Sequence, residues 1–184
     1  AWKMAGSGRG KKQTAYQILA AHNERQLQEE EELCWDSKKT ETSDSVGIFY
    51  GGPLLKSRER IYWKVRIWDE SGNVSPWSEA HFFEAGLLDE ADWKARWICG
   101  DDEVSAPYFR KDFSAKEKPE RARAYICGLG FYELSVNGTK CGEHLLTPNR
   151  SDFTKKVYYH TYDITESLEK GKNTVGIILG NGWY

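Results

Sequence analysis

The chain has 184 residues, 26 Lys and Arg against 28 Asp and Glu, a formal net charge of -2 and 39% hydrophobic residues. That balance lacks the basic excess a non-specific nucleic-acid binder needs, and no run approaches the ~20 consecutive apolar residues of a membrane-spanning helix. With 8 Trp, 10 Tyr and 7 Phe the chain is too aromatic for a long disordered segment, and it is too short for a large barrel enzyme.

In chain order, Ala1-Trp2-Lys3-Met4 is not a charged segment followed by an apolar run, so no signal peptide is read there. Gly6-Ser7-Gly8-Arg9-Gly10 lacks the phosphate-loop pattern and a preceding strand, and reads as a flexible lead-in. Residues 13–20 alternate, with Tyr16, Ile18 and Ala20 on one face. Residues 22–33 are Glu-rich with little apolar periodicity; a short helix and a charged loop both fit, and the loop is preferred. Residues 61–68 place Ile61, Trp63, Val65 and Ile67 on one face and Lys64 and Arg66 on the other, the pattern of a half-buried strand. Residues 69–73 form a turn in which Gly72 supplies the positive φ. A short edge segment, Ser75-Pro76-Trp77-Ser78, and a strand over 80–84 follow, with Trp77 expected to cover the sheet edge. The stretch 87–96 is the best boundary, with a short helical turn at 89–93; Trp93 and Trp97 are expected to pack between domains or under the second sheet.

Beyond it, strands are expected at 108–113 and 122–127, and Gly128-Leu129-Gly130 lacks the full dinucleotide motif. Residues 131–136 lead into Asn137-Gly138, a strong hairpin signal because both residues tolerate the left-handed conformation of a type I′ turn. Residues 140–145 are the returning strand, 157–162 and 174–179 are further strands, and 163–168 form a small turn or helix closed by Gly171. The result is an all-β chain of two sandwiches, a first domain over 1–86, a linker over 87–96 and a second domain over 97–184. Cys34, Cys99, Cys127 and Cys141 show no two-residue spacing and read as small buried thiols rather than a zinc site or disulfide scaffold. The ending, an apolar strand, a glycine turn and two aromatics, reads as the middle of a domain, hence as part of a longer chain; a true terminal strand docked in the sheet is the alternative.

Two resemblances sharpen this. Residues 62–69, Gly72 and Ser75-Pro76-Trp77-Ser78 are similar to the central strand, turn and edge segment of a fibronectin type III module. The second part resembles the N-terminal sugar-binding-like domain of bacterial α-L-rhamnosidases of glycoside hydrolase family 78. That match runs through Trp93-Lys94-Ala95-Arg96-Trp97-Ile98 and residues 106–113. It continues through 122–138, with Gly128-Leu129-Gly130-Phe131-Tyr132 and Asn137-Gly138. It ends in residues 152–165 and Gly180-Asn181-Gly182-Trp183-Tyr184. The resemblance implies a jelly-roll-like second sandwich, incomplete at its C-terminal end. It also implies a parent with further β domains and an (α/α)6 barrel, which hydrolyses terminal α-L-rhamnosyl linkages with inversion. Inversion needs a protonated carboxyl and an ionised one roughly 6.5–9.5 Å apart; the barrel that holds them has no counterpart here, so no catalytic residue is assigned. Implied partners are rhamnose-containing glycans and the parent's other domains, with no nucleic acid and no membrane, in a periplasmic or extracellular setting.

Some members of that family use the equivalent domain as a calcium-assisted rhamnose-binding module. Calcium is a hard cation that takes oxygen ligands, and the local candidates for metal and sugar are Asn149, Asp152 and Asn181, with Trp183 and Tyr184 as stacking surface. The competing reading is that Asn149 and Asp152 cap a turn and Asn181-Gly182 makes a reversal. Calcium is an optional partner and no cofactor is required. Tyr158, Tyr159 and Tyr162 are assigned mainly to core or domain contacts, and Trp35-Asp36-Ser37-Lys38 to a loop anchored by its aromatic. His22, His81, His144 and His160 show no metal-ligand spacing. Three functions follow: the non-catalytic N-terminal portion of an α-L-rhamnosidase, a free-standing rhamnose-binding module, or a structural or protein-binding pair of sandwiches.

Overall fold

The computed structural model describes residues 1–6, 9–101 and 104–182. The chain divides into two compact units, Ala1–Lys94 and Ala95–Tyr184. Residues 87–94 thus group with the first unit. The Leu88 backbone N–H donates to Ser57 Oγ at 2.7 Å and Arg58 reaches the Asp92 carbonyl at 3.1 Å. The expected turn there is a 3-10 helix over Glu90–Asp92, capped by the Asp89 carboxylate.

In the first unit all five described strands join one antiparallel sheet. Strands β1 (Gln13–Ala21) and β4 (Arg60–Asp69) form its spine, with β2 (Trp35–Asp36) and β3 (Thr40–Glu41) on the far side of β1 and β5 (His81–Glu84) on the far side of β4. The register sets Tyr16, Ile18 and Ala20 opposite Ile67, Val65 and Trp63, so the expected apolar faces coincide. Trp2, Trp35 and Ile48 pack on that face.

The other face is covered too, which the Lys64 and Arg66 positions did not suggest. Residues 22–33 are not the preferred loop. They carry helix α1 (Glu24–Glu29), whose first turn is capped by Asn23 Oδ1 accepting from the Gln26 N–H at 2.9 Å. Its fully buried Leu27 packs with Leu19, Ala21, Tyr62 and Trp77. One apolar anchor gives no periodicity to read, while the Asn cap and the tertiary contact suffice for a helix this short.

The second unit has two sheets around one core. β6 (Tyr108–Ala115), β11 (Gly171–Gly180), β8 (Phe131–Val136) and β9 (Thr139–Lys140) lie in the order β6-β11-β8-β9, and β7 (Arg123–Cys127) pairs with β10 (Tyr159–Asp163). Tyr132, Leu134 and Val136 of β8, Tyr162 of β10 and Leu168 fill the space between them, with Ala124, Ile126, Val175 and Ile177 around the rim. The β8–β9 turn is the expected one: Asn137 has φ 51° and Gly138 φ 84°. The returning strand is shorter than expected. Only Thr139–Lys140 is regular, and Cys141 adds one further bond to Leu134 before the chain leaves the sheet. Gly130 is where backbones meet; a Cβ there would stand 2.4 Å from the Gly180 carbonyl oxygen. Trp97 was expected to be packed; it lies outside any helix or strand and is 66% exposed.

Candidate functional site

Three places on the molecule bring chemistry-bearing side chains together. The first is the sequence-predicted cluster. Asp152 sits in a tight turn. Its Oδ1 accepts from the Thr154 N–H at 3.1 Å and the Thr154 hydroxyl at 2.6 Å, Lys155 Nζ lies 3.0 Å from Oδ2, and its carbonyl accepts from the Lys155 and Lys156 N–H groups. Thr154 and then Lys155 hold the carboxyl below its ordinary range. Both carboxylate oxygens are thus engaged within the turn, the capping arrangement with which a calcium ion would have to compete. Asn149 and Asn181 are exposed. Trp183 and Tyr184, like Ser7 and Gly8 of the lead-in, lie outside the described residues. Among the described residues, no group of three or more His, Cys, Asp or Glu side chains is placed to hold a metal.

The second place is the sheet of the first unit. On one side, Trp2, Trp63 and His81, with Lys3 and Ser78, line an open groove. The Trp63 and His81 rings lie 5.9 Å apart. The groove pairs aromatic rings with a few polar groups and is open to solvent. On the other side cations and indoles interleave. Lys39 and Arg66 lie over Trp68 at 5.4 and 5.3 Å, and Arg66 and Lys64 over Trp77 at 4.6 and 5.0 Å. Lys64 is buried because its ammonium is paired with Glu30 at 2.8 Å. Ser75 and Ser78 fix the Trp77 segment by accepting, through Oγ, the N–H groups of Ile67 and Val65. Trp77 is therefore more than an edge cover; it is the centre of a stack. Trp35 is a packed anchor, as expected, against Tyr50 at 5.5 Å.

The third place was invisible in the sequence. His144, on the loop after β9, and His160, on β10, stand with ring centroids 5.9 Å apart, and His160 stacks on Tyr162 at 6.3 Å. Burial and the neighbouring His144 push the His160 imidazole below its ordinary value. Of the tyrosines, Tyr162 is core, Tyr159 pairs with Tyr125 at 6.1 Å on the opposite face of β10, and Tyr158 is 45% exposed.

The titrations of Asp36, Asp69, Glu70, Asp112 and Asp152 are all displaced downward. Asp69, Glu70 and Asp112 are lowered by hydrogen bonds from Asn73, Lys11 and Thr174 respectively. At Asp36, burial pulls upward but bonds from Lys38 and Gln17 win.

Large apolar side chains also face outward. Phe49 is 90% and Leu54 98% exposed in the first unit, and the cross-strand partners Tyr108 and Ile178 are 77% and 41% exposed in the second.

Comparison with known proteins is consistent across both units. Residues 1–89 match the family model for the Rha78A-like, N-terminal immunoglobulin domain, and residues 117–184 that for the alpha-L-rhamnosidase N-terminal domain. An alpha-L-rhamnosidase of Formosa agariphila is 40% identical across all of this chain, which covers 22% of that protein. One from Alteromonas sp. is 32% identical over the whole chain, covering 21% of that relative. Among solved structures, the alpha-L-rhamnosidase from Dictyoglumus thermophilum superposes over the full chain with a TM-score of 0.90 at 38% identity and 23% of its own length. That from Aspergillus terreus gives 0.80 at 31% identity, covering 98% of this chain and 21% of its own. The chain thus spans about a fifth of the length of the relatives it matches.

Proposed function

This chain belongs to the alpha-L-rhamnosidase family as its non-catalytic N-terminal region, and on that premise we propose that its two units serve a hydrolase that releases terminal α-L-rhamnosyl residues with inversion. Their part is positional: they carry surface that seats against the remainder of the enzyme. The observation that supports this is coverage, since the whole chain aligns at 40% identity with only 22% of a relative. The outward-facing Phe49, Leu54 and Tyr108, which are costly to leave in water, agree with it. The test compares this chain with the full-length enzyme on an aryl α-L-rhamnoside. Turnover is expected in the full-length protein alone; turnover by this chain alone would overturn the reading.

A second reading, carbohydrate binding by the isolated chain, is favoured by the groove of Trp2, Trp63 and His81. Titration with L-rhamnose, with and without calcium, tests it. Saturable binding lost in Trp63→Ala supports the groove, binding that needs calcium points to the Asn149, Asp152 and Asn181 side, and no binding under either condition removes both.

A further inference from the structure

The histidine pair carries an inference independent of the reading above. We propose that His144 and His160 together bind one divalent transition-metal ion, such as Zn2+, clasping the loop after β9 to strand β10.

The argument is geometric. Imidazole nitrogens bind Zn2+ at about 2.0–2.1 Å, which puts each ring centroid about 3.2 Å from the ion. Two imidazoles at a tetrahedral angle then have centroids about 5.2 Å apart, and at a wider angle of about 135° roughly 5.9 Å. The observed separation is 5.9 Å. The span therefore suits one ion; the rings meet edge to face, with 64° between their planes, and His144, which is exposed, is the half that turns its nitrogen toward the ion. His160 is the fixed half. Its backbone is held opposite Ile126 in the β10–β7 ladder, and its ring rests on Tyr162, which is 8% exposed and whose hydroxyl lies 3.4 Å from that of Tyr132.

Among the described residues no third His, Cys, Asp or Glu joins the pair to make a three-ligand group. The ion therefore keeps positions for water, and the site is an open two-imidazole site rather than a closed structural one. Soft and borderline ions suit it, whereas Ca2+ and Mg2+, which prefer oxygen, do not.

The experiment follows the imidazole ring-proton resonances of the whole chain during a ZnCl2 titration with the cysteines kept reduced, alongside an MgCl2 titration. His144 and His160 are expected to move together and saturate with Zn2+, while His22 and His81 stay in place and Mg2+ moves none. His144→Ala is expected to weaken Zn2+ binding about tenfold or more at unchanged fold, and His160→Asn to do the same. If His160→Asn proves unfolded, His144→Ala alone decides, because its side chain is exposed. Independent movement of the two rings, saturation that survives His144→Ala, or no movement at millimolar Zn2+ would each overturn the proposal.

Discussion

Replacing Trp77 with Ala removes the centre of the cation–indole stack, and the structure sets the size of the loss. Trp77 is half-buried and packs against the cluster of Leu19, Ala21 and Leu27. A Trp→Ala change in a full core costs about 3–5 kcal/mol, so half-burial gives roughly 2. Two cation contacts go with it. Arg66, partly exposed at 4.6 Å, contributes about 0.5–1 kcal/mol. Lys64, at 5.0 Å and 8% exposed, lies nearer the desolvated limit of about 2 kcal/mol. The sum is about 4–5 kcal/mol, a large share of the ~5–15 kcal/mol that holds a domain together. Urea unfolding of wild type, Trp77→Ala, Lys64→Met and the double variant forms a cycle that isolates the Lys64–Trp77 part. The expected coupling is at least about 1 kcal/mol, with Trp77→Phe recovering part of the single-variant loss. A Trp77→Ala cost under about 1 kcal/mol, or a coupling of zero, would refute the stack as a source of stability.

Three further outcomes follow from the same reasoning. Asn173 is 1% exposed and fully satisfied: its Oδ1 accepts from Glu169 N–H and Asn137 Nδ2, and its Nδ2 donates to the Glu169 and Gly171 carbonyls. Asn173→Ala leaves those groups unpaired and should cost about 2–4 kcal/mol in urea unfolding. Arg60 and Glu84 form an ion pair at 2.9 Å with side chains 16% and 13% exposed, the guanidinium lying 3.9 Å from the Phe82 centroid. Glu84→Ala should cost about 3 kcal/mol, and Arg60→Met in the same chain should recover part of it, because the penalty is chiefly the charge left behind. The Asp36 carboxyl, depressed in the folded chain, contributes stability that is complete above the unfolded value of about 3.9 and fades as pH falls from there through the lower folded value. Asp36→Asn should therefore narrow the difference in urea midpoint between pH 6 and pH 3.

Local signals made much of the fold readable. Alternation in residues 13–20 and 61–68 assigned both faces of β1 and β4, and the register that pairs Ile18 with Val65 agrees. Asn137-Gly138 fixed the β8–β9 turn without help from elsewhere. What escaped depends on partners distant in the chain. Lys64 looked solvent-facing because Glu30 and Trp77, which bury it, lie outside its strand. His144 and His160 meet only because the loop after β9 folds back on β10. The Asp152 assignment shows the converse. Asp-x-Thr is a local turn motif, and the observed bonds to Thr154 are the ones such a turn makes by itself.

The outward apolar residues bear on what kind of contribution this chain makes. Phe49 is not exposed because its loop is loose. Its neighbour Ile48 packs in the core of the first unit, and Tyr50 on its other side lies against Trp35 and Phe83 at 5.5 and 5.6 Å. Gly51 is pressed so close to the Trp35 indole that a Cβ would stand 2.9 Å from its nitrogen. The backbone on both sides of Phe49 is anchored, so the ring is held in water by the fold. In the second unit, Tyr108 and Ile178 face each other across a continuous β6–β11 ladder. In both units an apolar side chain rests on rigid backbone, which is how a surface is preorganised for a partner without an ordering cost at association. Rigid apolar side chains of this kind are what the proposed positional role requires.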